Sequence, residues 1–330
     1  MHWYWLIHKR EEMQEKKEFR EKNIKNKEKR TGLRLRGWIQ ALFFAFSNGY
    51  LAGYLNAKIY RGQLKQICVP GLNCYSCPGA LASCPIGALQ SLLDSKKFHF
   101  SCYIFGFFLV VGGILGRAVC GFLCPFGWIQ DLCYRIPIWI PKRVPDTLRW
   151  KLERMNKRKH LPGHKVLIWL KYVILAVFVI LLPMTVMTEF GAGVPWFCKL
   201  ICPSGTLFGG IPLVLLDEAL AANAGGYFLW KVTLLALLLS TSVFVYRPFC
   251  KYLCPLGAVY SGFYKISLFR LKLDESLCIH CGKCSKTCLM GVDPEHGKNR
   301  QECIACGDCQ KSCPTKAISF WPKGKDTFSS

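Results

Sequence analysis

The sequence predicts an α-helical membrane protein with about four transmembrane helices, internally duplicated, and a small α+β domain at its C-terminal end. Three observations predict it. Four apolar runs have spanning length, a Cys-Pro-x-Gly tetrapeptide recurs four times, and one four-cysteine spacing occurs twice in the last quarter of the chain.

The spans come first. The 330 residues are 52% hydrophobic yet carry 44 Lys and Arg against 20 Asp and Glu. Long apolar runs with concentrated positive charge point to a membrane protein in contact with lipid, and no nucleic-acid motif accompanies the charge. Gly37 to Ala57, Phe98 to Gly116, Val166 to Met187 and Tyr227 to Tyr246 each approach the roughly 20 residues that cross about 30 Å of hydrocarbon. A fifth stretch, Thr206 to Leu220, is interrupted by Pro212 and ends on Asp217 and Glu218, so it reads as re-entrant or interfacial.

Charge orients the spans. Residues 1–36, 117–165 and 247–330 hold 36 of the 44 basic residues, which places both termini in the cytoplasm of a multi-pass protein of the cytoplasmic membrane. The expected organisation is a basic N-terminal arm (1–36), a membrane domain (37–257) and a cytoplasmic C-terminal domain (258–330). The arm's only apolar run, Trp3 to Ile7, is too short for a signal-peptide core. It reads as a solvated topogenic arm or a helix on anionic lipid.

The C-terminal domain carries the most specific signal. Cys278, Cys281, Cys284 and Cys288, then Cys303, Cys306, Cys309 and Cys313 followed by Pro314, repeat the C-x2-C-x2-C-x3-C run that wraps a cubane [4Fe–4S] cluster. Two-residue gaps aim three thiolates at one cluster, and the fourth cysteine ligates the other. The expected sets are therefore Cys278, Cys281, Cys284 with Cys313, and Cys303, Cys306, Cys309 with Cys288, in a dicluster ferredoxin-like domain. Gly282 and Gly307 fall at matching places in the copies, and Leu289 stands where the second copy has proline. Zinc, which takes two pairs of ligands, leaves two triplets with a distant fourth unexplained.

The tetrapeptide marks a second repeat, at Cys84-Pro85-Ile86-Gly87, Cys124-Pro125-Phe126-Gly127, Cys202-Pro203-Ser204-Gly205 and Cys254-Pro255-Leu256-Gly257. Three copies have a second cysteine four residues earlier: Cys120, Cys198 and Cys250. The first has Ala80 there, with Cys74 and Cys77 nearby. On the expected topology the copies alternate sides. Cys120, Cys124, Cys250 and Cys254 converge on the inner face and complete one further cluster site. Cys84, Cys198 and Cys202, with Cys74 or Cys77, would make another on the outer face. Disulfides among Cys68, Cys74, Cys77, Cys84, Cys198 and Cys202 are the competing reading. Cys102 and Cys133 read as buried small hydrophobes.

The run Gly116-Arg117-Ala118-Val119-Cys120-Gly121-Phe122-Leu123-Cys124-Pro125-Phe126-Gly127, the run Tyr246-Arg247-Pro248-Phe249-Cys250-Lys251-Tyr252-Leu253-Cys254-Pro255-Leu256-Gly257 and the double repeat together resemble membrane polyferredoxins of the NapH, NosR and CcoG type. The resemblance implies a four-helix core with paired cysteine motifs and a cytoplasmic two-cluster domain. It implies electron transfer between a quinone pool or redox partner subunit and a membrane or extracytoplasmic reductase, as the electron-transfer subunit of a quinol dehydrogenase-like oxidoreductase. Its CcoG-like branch implies instead a copper reductase serving oxidase maturation. No segment is long enough for the flavin-bearing domain of the NosR branch.

No dinucleotide fingerprint, P-loop or Ser-His-Asp arrangement is present, so no catalytic residue is assigned. His99 reads as a satisfied polar residue at an interface, or else as a haem or quinol ligand. Lys171 and Lys231 read as snorkelling to headgroups or bonding a quinone. Trp38, Trp128, Trp139 and Trp230 read as an interfacial belt. Donor, acceptor, direction of flow and oligomeric state are not encoded in any motif.

Overall fold

The computed structural model describes residues 35–56, 58–93, 102–136, 159–185 and 194–320. The basic arm up to residue 34, His99 and Trp139 lie outside them. Two described helices are long and apolar enough to cross a membrane: His164–Thr185, of 22 residues with mean hydropathy 2.6, and Gly226–Phe244, of 19 residues with mean hydropathy 1.6. Only 22% and 17% of their most apolar windows are buried inside the protein, so their apolar surfaces face outward. Val166, Trp169, Leu229 and Leu237 stand on those surfaces.

Two more expected spans are shorter within the described residues. Cys102–Ile114 accounts for 13 residues of the second, and residues 98–101 lie outside. The first is interrupted: a helix over 35–47 gives way to a turn at Asn48 and Gly49 before the short helix Leu51–Leu55. Asn48 turns its amide back onto the Phe44 carbonyl and the Ser47 hydroxyl, a local bond that competes with helix continuation. The interrupted fifth stretch is a helix over Pro203–Leu216 that stops at Asp217. Asp217 then caps Glu218–Ala222 by accepting from the amides of Ala219 and Leu220. Wide π-type turns over Leu175–Leu181 and Thr206–Gly210 accompany Pro183 and Pro212, which cannot donate to the helical ladder.

All four Cys-Pro-x-Gly copies fold alike. The cysteine has extended backbone and caps a helix whose first residue is the proline: Pro85–Leu92, Pro125–Arg135, Pro203–Gly205 and Pro255–Gly262. Proline fits there because its missing N–H would be unpaired at a helix start anyway. The halves interlock, with Pro125–Arg135 packed against Gly226–Phe244 and Tyr260, in Pro255–Gly262, set edge-on to Phe108 of Cys102–Ile114. Pro255–Gly262 also runs across the expected domain boundary at 257.

Leu268 and Phe269 then pin the chain to the carbonyls of Gly113 and Ile114. The C-terminal domain is closed by two antiparallel strands, β1 (Leu271–Leu273) and β2 (Ile318–Phe320), with Leu271 opposite Phe320 and Leu273 opposite Ile318. Between them the cysteine repeats carry the short helices Lys283–Thr287 and Asp308–Ser312, which pack together. Their duplication extends to the backbone. His280 and Ala305, Gly282 and Gly307, and Gly291 and Lys316 all have positive φ at matching positions.

Candidate iron–sulfur sites

The two expected ferredoxin sets line separate cavities. Cys278, Cys281, Cys284 and Cys313 line one small cavity, together with Ile279, Gly282 and Ile318. Cys288, Cys303, Cys306 and Cys309 line another with Met290, Val292 and Ile304. In each cavity the fourth thiol comes from the other repeat. Gly282 (φ 65°) and Gly307 (φ 81°) begin the two short helices in the left-handed region, which glycine enters without strain.

The inner set is brought together from both halves. Cys120, Cys124, Cys250 and Cys254 are each 6% exposed or less, and Cys254 lies within electrostatic reach of the other three. The support around them is reciprocal. Arg117, three residues before Cys120, donates from Nη2 to the Cys250 carbonyl at 3.3 Å. Arg247, three before Cys250, donates from Nη1 to the Cys120 carbonyl at 2.5 Å. The Gly257 amide donates to Cys254 Sγ at 3.4 Å, and the amides of Gly127, Gly205 and Gly87 lower the thiol pKa of the cysteine in their own copies. A helix start aimed at sulfur favours the thiolate.

Two buried ion triads hold this frame. Asp131 accepts from Arg247 Nε at 2.7 Å and Nη2 at 2.6 Å, and from Arg36 Nη2 at 2.6 Å. Arg36 also donates to the Tyr246 hydroxyl at 3.0 Å. Glu302, immediately before Cys303, pairs with both Arg117 and Lys171. Lys171 is thus fully buried in an ion pair with the C-terminal domain, and neither snorkelling nor a quinone contact describes it.

Of the set expected on the outer face, Cys74, Cys84, Cys198 and Cys202 line a cavity of about 930 Å³ with Leu72, Gly205 and Lys231. A Cβ placed on Gly205 would sit 3.3 Å from Cys74 Sγ and 3.9 Å from Cys202 Sγ. Cys77 faces away, with its sulfur 3.2 Å from the Tyr54 hydroxyl and 3.6 Å from Asn48 Oδ1. The structure therefore places Cys74 with the set, and not Cys77. All 20 cysteines are free, including the six that the disulfide reading would pair. Cys68 instead donates its amide to the Tyr103 hydroxyl. Cys102 is exposed and Cys133 half-buried, which corrects the expectation that both are buried. Lys231 donates to the Cys198 carbonyl at 3.3 Å. Trp38 and Trp230 are exposed.

Two residues escaped the sequence reading. Gln130 donates from Nε2 to Cys250 Sγ at 3.2 Å and accepts from the Phe249 amide at 3.1 Å. Gln90 does the same for Cys198, at 3.3 Å, and the Phe197 amide, at 3.2 Å. Each glutamine stands six residues after a Cys-Pro cysteine of the first half, and that shared offset is the signal that would have found them.

The donor sets fit cubane clusters. Burial pushes the thiols of Cys250 and Cys198 up to about 11 and those of Cys303, Cys306 and Cys84 up to about 12, with neighbouring thiols adding to the rise. Four such thiolates become stable together only around a cationic core, which a [4Fe–4S] unit supplies.

The family comparisons agree with this chemistry. A model described as 4Fe-4S binding domain matches residues 100–145 and again 228–274, so its two copies fall on the two halves of the core. A second 4Fe-4S binding domain model matches residues 297–319. These matches define a protein that binds multiple [4Fe–4S] clusters. Uncharacterized protein MJ0750 of Methanocaldococcus jannaschii is 31% identical over 207 residues, covering 63% of this chain and 73% of that protein. The chain belongs to the same family. MJ0749 of the same organism is 30% identical over 186 residues, 56% of each chain, so the protein spans little more than half the length of that relative. Methylamine utilization ferredoxin-type protein MauN of Paracoccus denitrificans is 26% identical over 254 residues, covering 75% of this chain and 72% of MauN. No solved structure matches.

Proposed function

We propose that the protein is a multi-pass membrane relay, in which four cluster sites pass single electrons between the cytoplasmic face and a quinone or partner redox subunit near the outer face. The carrying observation is that the four thiol sets form one connected series, beginning with Cys278, Cys284 and Cys313 packed with Cys303 around Leu271 and Cys309. Met290 and Ile304, which line the Cys288 cavity, belong to the same buried core as Cys120, Cys124 and Cys254. Next, Lys251 Nζ donates to the Leu289 carbonyl at 2.8 Å, joining the neighbour of Cys250 to the neighbour of Cys288. Beyond that, the Leu72 amide lowers the Cys124 thiol pKa while Leu72 itself lines the outer cavity. The order is Cys278, Cys281, Cys284 and Cys313; then Cys288, Cys303, Cys306 and Cys309; then Cys120, Cys124, Cys250 and Cys254; then Cys74, Cys84, Cys198 and Cys202. The distribution of basic residues supports a cytoplasmic C-terminal domain.

When bound, the clusters supply the electron chemistry. The chain's own residues hold them in line, exclude water and set their surroundings. The test uses purified protein in liposomes, with clusters reduced by dithionite. Addition of a menaquinone analogue should reoxidise them, and Cys74→Ser should slow that reoxidation while Cys77→Ser leaves it unchanged. Clusters that stay reduced with every quinone yet are reoxidised by cupric ion would replace this reading with a copper reductase. An equal effect of the two serine variants would remove the outer site from the series.

A further inference from the structure

The two ion triads are unbalanced in the same sense. Arg36, Asp131 and Arg247 sum to one net positive charge, and so do Arg117, Glu302 and Lys171. All six side chains are buried, the most exposed being Arg36 with its side chain at 5%. An uncompensated buried charge is costly, and a fold with two of them needs an anion nearby. Both triads point at the inner cysteines. Arg117 and Arg247 bond the carbonyls of Cys250 and Cys120, and Lys171 lies within electrostatic reach of Cys254. A cubane with four thiolate ligands carries about two negative charges when oxidised and about three when reduced, by the formal charges of iron and sulfide.

We propose that these two triads are the built-in counter-charge of the inner cluster, that they hold its reduction potential up, and that Lys171 and Glu302 are the positioning residues through which the C-terminal domain takes part. This rests on the reading that Cys120, Cys124, Cys250 and Cys254 hold a cluster. The two triads offset the charge of an oxidised cubane, and Lys251, buried beside Cys250 with the Lys159 and Leu289 carbonyls as partners, adds to the positive surroundings, so the electron added on reduction enters among cations already in place. Net charge and bonds to the cluster's ligands are the protein's means of setting such potentials.

The experiment is an EPR-monitored redox titration of the full-length protein, following the signal that Cys124→Ser abolishes. Lys171→Met leaves Arg117 and Glu302 neutral together and should lower the potential. Glu302→Gln leaves two cations and should raise it. Coulomb's law at an effective dielectric of about 20 and a separation of about 10 Å gives on the order of a tenfold change in the ratio of reduced to oxidised cluster at the parental midpoint. For a one-electron couple that tenfold change is about 59 mV. Iron content should stay at the parental value. Asp131→Asn, in the other triad, should raise the potential as Glu302→Gln does, and Lys171→Arg should leave it in place. Shifts of one sign in both Lys171→Met and Glu302→Gln, shifts below about threefold, or a Lys171→Arg shift as large as that of Lys171→Met would overturn the proposal. If Cys124→Ser removes no signal, the cluster assignment itself falls, and the charge proposal falls with it.

Discussion

Asp131→Ala is the sharpest test of the frame that joins the two halves. Asp131 is 2% exposed and accepts three charge-assisted hydrogen bonds, two from Arg247 and one from Arg36. Truncation removes all three and leaves two guanidinium groups buried together. Arg247 keeps its bond to the Cys120 carbonyl and Arg36 its bond to Tyr246, so each cation retains one partner. Removing one member of a buried ion pair costs about 3–5 kcal/mol. A domain has roughly 5–15 kcal/mol in total, so the variant should lose a large share of its stability.

The assay is denaturant unfolding in detergent, read by near-ultraviolet circular dichroism, with the shift of the midpoint as the measure. A second variant separates charge from packing. Replacing Arg36 and Arg247 with Met and Asp131 with Leu removes the whole triad, and apolar replacements of similar volume are often neutral or stabilising where a lone deletion is not. The triple variant should therefore be more stable than Asp131→Ala alone. A midpoint shift worth less than about 1 kcal/mol, the range of a solvated pair, would refute the buried triad.

Three further outcomes follow from single contacts. A side chain at Gly121 would overlap the Ile304 carbonyl oxygen, so Gly121→Val should slow electron exchange between the C-terminal and inner clusters in rapid-mixing experiments; Gly113→Ala, where a Cβ meets nothing within 4 Å, should not. Gln130→Leu should change the EPR signal or stability of the inner cluster only, and Gln90→Leu that of the outer cluster only, because each glutamine donates to one sulfur; crossed effects would dissolve the assignment. Burial, with the charges of Lys251, His164 and Lys159, lowers the His160 imidazole from 6.5 to about 4. As pH falls, the unfolded chain takes up the proton first, so the stabilising contribution is complete above pH 6.5 and is lost toward pH 4. Because His160 packs on Gly291, the amide protection factors of residues 286–292, taken relative to the intrinsic exchange rate at each pH, should fall from pH 7 to pH 5 in the parent and much less in His160→Gln; equal falls in both would remove His160 from the contact.

What was legible in the sequence was local geometry. The C-x2-C-x2-C-x3-C spacing fixes how three thiols face one cluster, so the grouping of thiols that line each C-terminal cavity, with a fourth from the other repeat, could be expected without a fold. Cys120, Cys124, Cys250 and Cys254 were legible because repetition made up for a weak motif. The turn at Asn48 was not, because hydropathy counts side chains and not the bond from an asparagine amide to a carbonyl four residues back. Lys171 was misread for a different reason. Its partner Glu302 lies 131 residues away, and a lysine in an apolar run looks the same whether it meets headgroups or a buried carboxylate. Gln90 and Gln130 carry no signature of their own, and only superposing the repeats reveals them.

The departures from perfect repetition gather where the two duplicated units meet. Gly121 and Lys251 occupy equivalent places, each one residue after the first cysteine of an inner motif. Gly121 lets the Ile304 carbonyl approach, and Lys251 reaches the Leu289 carbonyl at 2.8 Å. Ile304 and Leu289 are in turn the residues directly after Cys303 and Cys288, two of the four thiols in the cavity nearer the core. Pro314 follows the corresponding cysteine of the outlying cavity, where no such contact is needed. The leucine that breaks the expected Cys-Pro pattern therefore stands at the junction itself: its carbonyl accepts from Lys251 and its side chain packs against the buried core. It is the asymmetric pair Gly121 and Lys251, with Glu302 held by Arg117 and Lys171, that fixes the C-terminal domain against the duplicated core.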